Sequence, residues 1–175
     1  MRRLIMWTAT AAIFGLSNAH AAELLTSHFA GLNGARICYA RAYDANHLKT
    51  HPRQKVRRVE IDFDRKNPDG KTNTSPDHFE LGFGAQLRGS TEWFAGNAIC
   101  AMKGAAASCY LEADGGRFTL TASGKSLRMD VDRDGLRFEG EKDGVEFAGN
   151  LSDDNSFILP PAARALCDAS TAKAR

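Results

Sequence analysis

From Val56 onward the chain alternates apolar and polar residues along successive short runs. Val59, Ile61 and Phe63 alternate with Glu60, Asp62 and Asp64, and Phe79, Leu81 and Phe83 with Glu80, Gly82 and Gly84. Leu127, Met129 and Val131 alternate with Arg128, Asp130 and Asp132, and Val145 and Phe147 flank Glu146. Side chains of a strand point to opposite faces in turn, so this pattern predicts half-buried antiparallel strands. Between the runs stand Asp69-Gly70, Gly115-Gly116, Asp134-Gly135 and Asp143-Gly144, residues that tolerate positive φ and predict tight hairpin turns. Strands are expected near 35–43, 56–65, 77–88, 91–102, 107–113, 116–122, 126–132, 136–142 and 144–151, with a short extended piece at 156–159.

Sequential strands with one apolar face must hide that face and both sheet edges, and curling into a barrel or half-barrel does both. The expected fold is therefore all-β: an antiparallel meander closing into a small, lipocalin-like barrel or half-barrel. Glycines inside the strands (Gly82, Gly84, Gly96, Gly140, Gly149) fit tight curvature. The charges fit closure as well. Residues 36–58 carry seven basic side chains against Asp44 alone, and residues 130–154 carry nine acids against Arg133, Arg137 and Lys142. These two segments become neighbours if the first strand meets the last. Helix is scarce: a short turn at 44–51, with Asp44 as N-cap and Pro52 ending it, and another at 161–168 entered through Pro160-Pro161.

The N-terminus changes the setting. Arg2-Arg3 precedes an apolar run of 13 residues, Leu4–Leu16, and then small residues at the −3 and −1 positions of a cut after Ala21. That run is shorter than the roughly 20 residues a membrane span needs, so residues 1–21 read as a secretory signal peptide. The expected organisation is one domain at 22–168 and a disordered tail at 169–175. Removing Arg2 and Arg3 leaves 21 basic and 21 acidic residues, which excludes a strongly basic nucleic-acid binder. No later apolar stretch is long enough to span a membrane. A periplasmic or secreted location follows, and in that oxidising setting Cys38, Cys100, Cys109 and Cys167 read as two disulfides. Cys100 and Cys109 flank one hairpin turn and can bridge locally, which leaves Cys38 to pair with Cys167.

Three clusters could carry chemistry. Asp130, Asp132, Asp134, Gly135 and Glu141 match a calcium-loop pattern, but strand-like alternation on both sides argues for an acidic hairpin. His47 and His51 share one face of the short helix. With Asp44 they are candidate partner-binding residues, and metal ligation needs a third group that the sequence does not supply. The basic run Lys49–Arg58 lacks the aromatic interleaving that stacks bases and reads as a solvated edge strand. G-x-S-x-G, a phosphate-binding loop, H-E-x-x-H and an unpaired cysteine are all missing from the sequence, so neither a catalytic residue nor a cofactor is expected.

The stretch Cys38-Tyr39-x-Arg41-x-Tyr43-Asp44-x-x-His47-Leu48-x-x-His51-Pro52-x-Gln54-x-Val56 resembles the start of a group of uncharacterised exported α-proteobacterial proteins. The resemblance covers under 20 residues, implies a shared architecture and brings no function. The leading expectation is an exported, non-enzymatic β-barrel binding module for a protein partner or small ligand of the cell envelope, such as an inhibitor or carrier. The alternatives are a calcium-binding envelope protein and a hydrolase with a spatially assembled site. The phenylalanines on apolar faces (Phe63, Phe79, Phe83, Phe118, Phe138, Phe147) favour a filled interior and a partner at the rim.

Overall fold

The structure, a computed structural model, describes residues 24–30, 36–64, 69–138, 145–147 and 152–171. The expected signal peptide lies outside them, as do Gly140, Glu141, Asp143-Gly144, Gly149 and residues 172–175.

The alternating runs form one curled antiparallel sheet. Its meander is β1 (Ile37–Ala42), β2 (Val56–Phe63), β3 (Phe79–Leu87), β4 (Trp93–Lys103), β5 (Ala106–Leu111), β6 (Gly116–Ser123) and β7 (Ser126–Phe138), each paired with the next. β8 (Val145–Phe147) and β9 (Ser156–Leu159) both pair with the side of β7 turned away from β6. Directly after Pro160, β10 (Pro161–Ala162) pairs with β1, and the Ala40 N–H donates to the Pro160 carbonyl at 3.1 Å. One short stretch, Ser156–Ala162, therefore hydrogen-bonds β7 with its first half and β1 with its second. The half-barrel's two edges meet across it, which covers what would otherwise be open strand edges.

The expected approach of basic and acidic segments occurs at this seam. Arg53 donates to Asp153 at 2.7 Å. Asp154 is fully buried and accepts from the backbone N–H groups of Lys55 (2.6 Å) and Val56 (3.0 Å) and from the Ser152 hydroxyl (2.8 Å). Its carboxylate completes the hydrogen bonding at the start of β2, where the neighbouring strand cannot.

Inward-facing residues fill the interior. Phe63, Phe79, Phe118, Phe157, Ile61, Leu120, Leu127 and Met129 are fully buried, and the Phe83 and Phe138 rings stack at 5.2 Å. A six-residue π-helical turn, Leu25–Ala30, adds Phe29, whose ring lies 5.2 Å from Phe63 and 6.0 Å from Phe79. Phe63 ends β2 and Phe79 opens β3, so this turn plugs that end of the sheet. The sequence pattern carries no sign of it.

Two elements depart from expectation. Asp134-Gly135 is not a hairpin turn: β7 runs unbroken for 13 residues and bulges there. From Phe118↔Val131 to Gly116↔Leu136, β6 moves two residues while β7 moves five, and Asp132–Gly135 loops out of the ladder. Turn chemistry can serve a bulge as well as a hairpin, because some bulges, like the tight hairpin turns, take a glycine at positive φ, here Gly135 at 75°. The C-terminal helix, α2, spans Arg164–Thr171 and not 161–168, because Pro161 is held in β10 opposite Tyr39. The helix therefore runs into the segment expected as a disordered tail.

Both expected disulfides form, Cys38–Cys167 and Cys100–Cys109. The second lies in the core between facing residues of β4 and β5. The first fastens α2 to the outer face of the sheet, where Cys38, Ala40 and Cys167 make a small second cluster. On that face the Asp62 carboxylate, ion-paired to Arg36, lies over Gly82 where a β-carbon would have to sit. Gly82 therefore admits a neighbouring side chain, where the sequence suggested curvature. Two disulfides fit an oxidising, non-cytoplasmic compartment. Among the described residues, no helix is long and apolar enough to cross a membrane.

Candidate functional site

The expected site residues gather in the corner between β1 and β2. Asp44 caps the helix α1 (Ala45–Thr50), its Oδ1 accepting from the His47 N–H at 2.8 Å. The i, i+4 spacing stacks the His47 and His51 rings at 4.1 Å, and Tyr43 stacks on His47 from the other side at 4.6 Å. Arg41 covers the Tyr43 ring at 5.3 Å. The ring nitrogens serve local bonds: His47 Nε2 lies 3.0 Å from Gln54 Oε1, and His51 Nδ1 lies 2.9 Å from the His47 carbonyl. Arg88, directly after β3, donates to the Leu48 and His51 carbonyls at the end of α1. Burial raises the Tyr43 hydroxyl above its ordinary pKa, the Arg41 charge pulls it back, and Asp154 pushes it up further. The corner is an aromatic ladder that locks the β1–β2 connection.

The calcium-like stretch is divided. Arg128 Nε donates to both oxygens of Asp130 at 3.0 and 2.8 Å. These bonds hold the Asp130 carboxyl below its usual pKa, partly offset by burial and aided by Ser156. Asp132 and Asp134 stand exposed on the bulge, the flanks are strand, and Glu141 lies outside the described residues. Among the described residues no group of three His, Cys, Asp or Glu side chains is placed to hold a metal ion.

A cleft of about 560 Å³ lies elsewhere on the surface. It exists because the strands differ in reach. β5 ends at Leu111, opposite Ala98, whereas β4 begins at Trp93, so Trp93–Asn97 extend past the end of β5 and, among the described residues, have β3 alone beside them in the ladder. The last bond toward β5 runs from the Glu112 N–H to the Asn97 carbonyl at 3.3 Å. The β5–β6 turn lies below this edge, and the end of β7 with β8 forms the opposite wall. In an antiparallel meander this is the end opposite the Phe29 plug.

The floor is apolar. Phe138 and Leu111 are buried beneath the cleft, with Ala95 and Val145 half-buried at its sides. Gly96 borders that floor, and a β-carbon there would make only ordinary contacts, 3.8 Å from the Phe138 ring and 4.0 Å from Leu111. The rim is charged. Arg137 and Glu146 face one another across the β7–β8 pair at 3.3 Å, and exposure of more than half of each side chain makes that pair weak. Glu112 and Asp114 are exposed on the turn, and neither carboxylate has an ion-pair partner among the described residues. Between them Ala113 adopts φ 56°, a left-handed conformation that costs a non-glycine residue about 1–2 kcal/mol.

The lining comprises carboxylates, an amide (Asn97) and a guanidinium over apolar ground, and no nucleophile–base pair stands among those residues. The arrangement is suited to holding a ligand. Alternation hides this site, since Leu111 and Phe138 read as ordinary inward positions; the only local sign is the break in pattern at Ala113-Asp114-Gly115. Family models, curated proteins and solved structures were compared with the chain, and none matches.

Proposed function

We propose that this protein is an exported, non-enzymatic binding module of the cell envelope that takes its partner at the mouth of the cleft and not inside the barrel. The observation that carries this reading is how space is distributed. Phenylalanines occupy the interior and Phe29 fills one end, while a cleft of about 560 Å³ with an apolar floor and polar rim opens at the other. Clefts of this size and character are the usual sites of recognition. A carrier of the lipocalin-like kind would keep its cargo inside, where buried rings already stack. Export rests on the signal-like residues 1–21, and a processed product whose intact mass begins at Ala22 checks it.

The binding claim is tested by filling the cleft. Gly96→Trp places a large ring where a β-carbon meets only ordinary contacts. The purified disulfide-bonded wild type, immobilised and exposed to envelope extract, is expected to retain a partner that Gly96→Trp does not, with the variant's melting temperature unchanged. Equal retention by the two forms would refute the cleft as the binding surface.

A further inference from the structure

The charge and shape of the cleft deepen that reading, on which this inference rests, to a kind of contact: we infer that the cleft receives a lysine or arginine side chain of a protein partner. Complementarity on three counts selects this occupant. The rim bears Glu112, Asp114 and Glu146 against Arg137, an acidic excess of two, and Arg137 is already turned to Glu146. An anion would be repelled there.

The floor excludes a fully hydrated cation. Phe138, Leu111, Ala95 and Val145 offer carbon surface, which favours a ligand with a methylene stem and a single charge at its tip. A free polyamine carries charge along its whole length and would lay ammonium groups on that surface. A lysine or arginine side chain lays its stem across this apolar lining and brings its head to Glu112 and Asp114. Among the described residues β4 has no strand beside Ala95 and Gly96 on the side away from β3, and these two residues line the cleft, placed to meet the main chain that presents the side chain.

The test is an NMR titration of the ¹⁵N-labelled, disulfide-bonded protein with Nα-acetyl-arginine amide and Nα-acetyl-lysine amide. The control probes are Nα-acetyl-norleucine amide, which keeps the stem and lacks the charge, and spermidine. The cationic amino-acid probes are expected to shift the amides of Ala95–Asn97, Glu112–Gly115 and Phe138. Norleucine should bind at least about tenfold more weakly, and raising salt from about 50 to about 500 mM should weaken the arginine probe severalfold. Glu112→Gln combined with Asp114→Asn, both exposed turn positions, should lower affinity for the cationic probes and leave the melting temperature unchanged.

Equal binding of norleucine, shifts confined to other residues, or an unmoved spectrum would each overturn the inference. Tighter binding of spermidine than of the arginine probe would overturn it in favour of a free organic cation. The two readings fail separately. A partner lost with Gly96→Trp but kept by the Glu112→Gln, Asp114→Asn variant sinks the cationic contact alone, whereas a partner kept by Gly96→Trp sinks the cleft itself.

Discussion

Gly116 opens β6 at φ 92°, and a β-carbon on it would collide with the Gly135 carbonyl inside the β7 bulge. Two glycines thus face each other where the bulge returns to the ladder, and both the backbone angle and the space forbid a side chain. Gly124 stands at φ 60° in the β6–β7 turn with open space around it. Gly116→Ala is therefore expected to destabilise by roughly 2–3 kcal/mol, and Gly124→Ala by roughly 1 kcal/mol from backbone strain alone. Urea denaturation midpoints of the two variants measure the difference. Equal losses would mean that the bulge relaxes freely and the contact with Gly135 is unimportant. These two positions also show the limit of reading glycines from sequence. Gly124 serves a turn, which its neighbours announce. Gly116 serves a contact with a residue that only the register of β6 on β7 brings near.

The N-terminal π turn is an element held by packing and one buried hydroxyl. The Tyr39 hydroxyl donates to the His28 carbonyl at 3.2 Å, and desolvation pushes its pKa up to about 12. The folded state thus holds that proton more tightly than the unfolded chain, whose tyrosine ionises near 10. Above the unfolded value the unfolded chain binds fewer protons, so stability falls as pH climbs from about 10 to about 12 and is constant on this account below that window. Tyr39→Phe removes the titrating group, and the fall between pH 10 and pH 12 should be shallower than in wild type. Thermal melts across that range decide it, and parallel curves would show that Tyr39 ionises without reference to folding. The turn itself left no trace in the alternation, because six residues make less than two helical turns and what fixes it is tertiary: Phe29 meeting Phe63 and Phe79, and the Tyr39 hydroxyl meeting His28.

At the scale of the whole molecule, the disulfides divide the work of holding the sheet. Cys38–Cys167 joins residues 129 positions apart and ties α2 to β1, whereas Cys100–Cys109 spans 9 positions within one hairpin. In the chain-entropy account the first bond contributes about 5 kcal/mol and the second about 3 kcal/mol. Replacing both cysteines of the long bridge by alanine should lower the denaturation free energy by roughly 2 kcal/mol more than replacing those of the short one. The reverse order would mean that core packing around Cys100 and Cys109 outweighs loop closure. The seam at Arg53–Asp153 and Asp154 acts in the same sense, joining segments about a hundred residues apart.

By itself the chain determined the strands from β1 to β6, its disulfide pairing and the burial of its phenylalanines in the interior, because period-two alternation and hairpin proximity are local facts that a half-buried sheet preserves. It also determined that the basic and acidic segments would meet, since closing the sheet demands it. Tertiary structure alone decided the rest. Whether Asp134-Gly135 turns the chain or bulges it depends on which β6 residue faces Leu136. Whether Gly82 bends a strand or admits Asp62 depends on what lies on the outer face. The cleft arises from a difference in length, β4 outrunning β5 by the stretch Trp93–Asn97. Such a mismatch between neighbours is invisible along either strand, because each one taken separately alternates as any strand would.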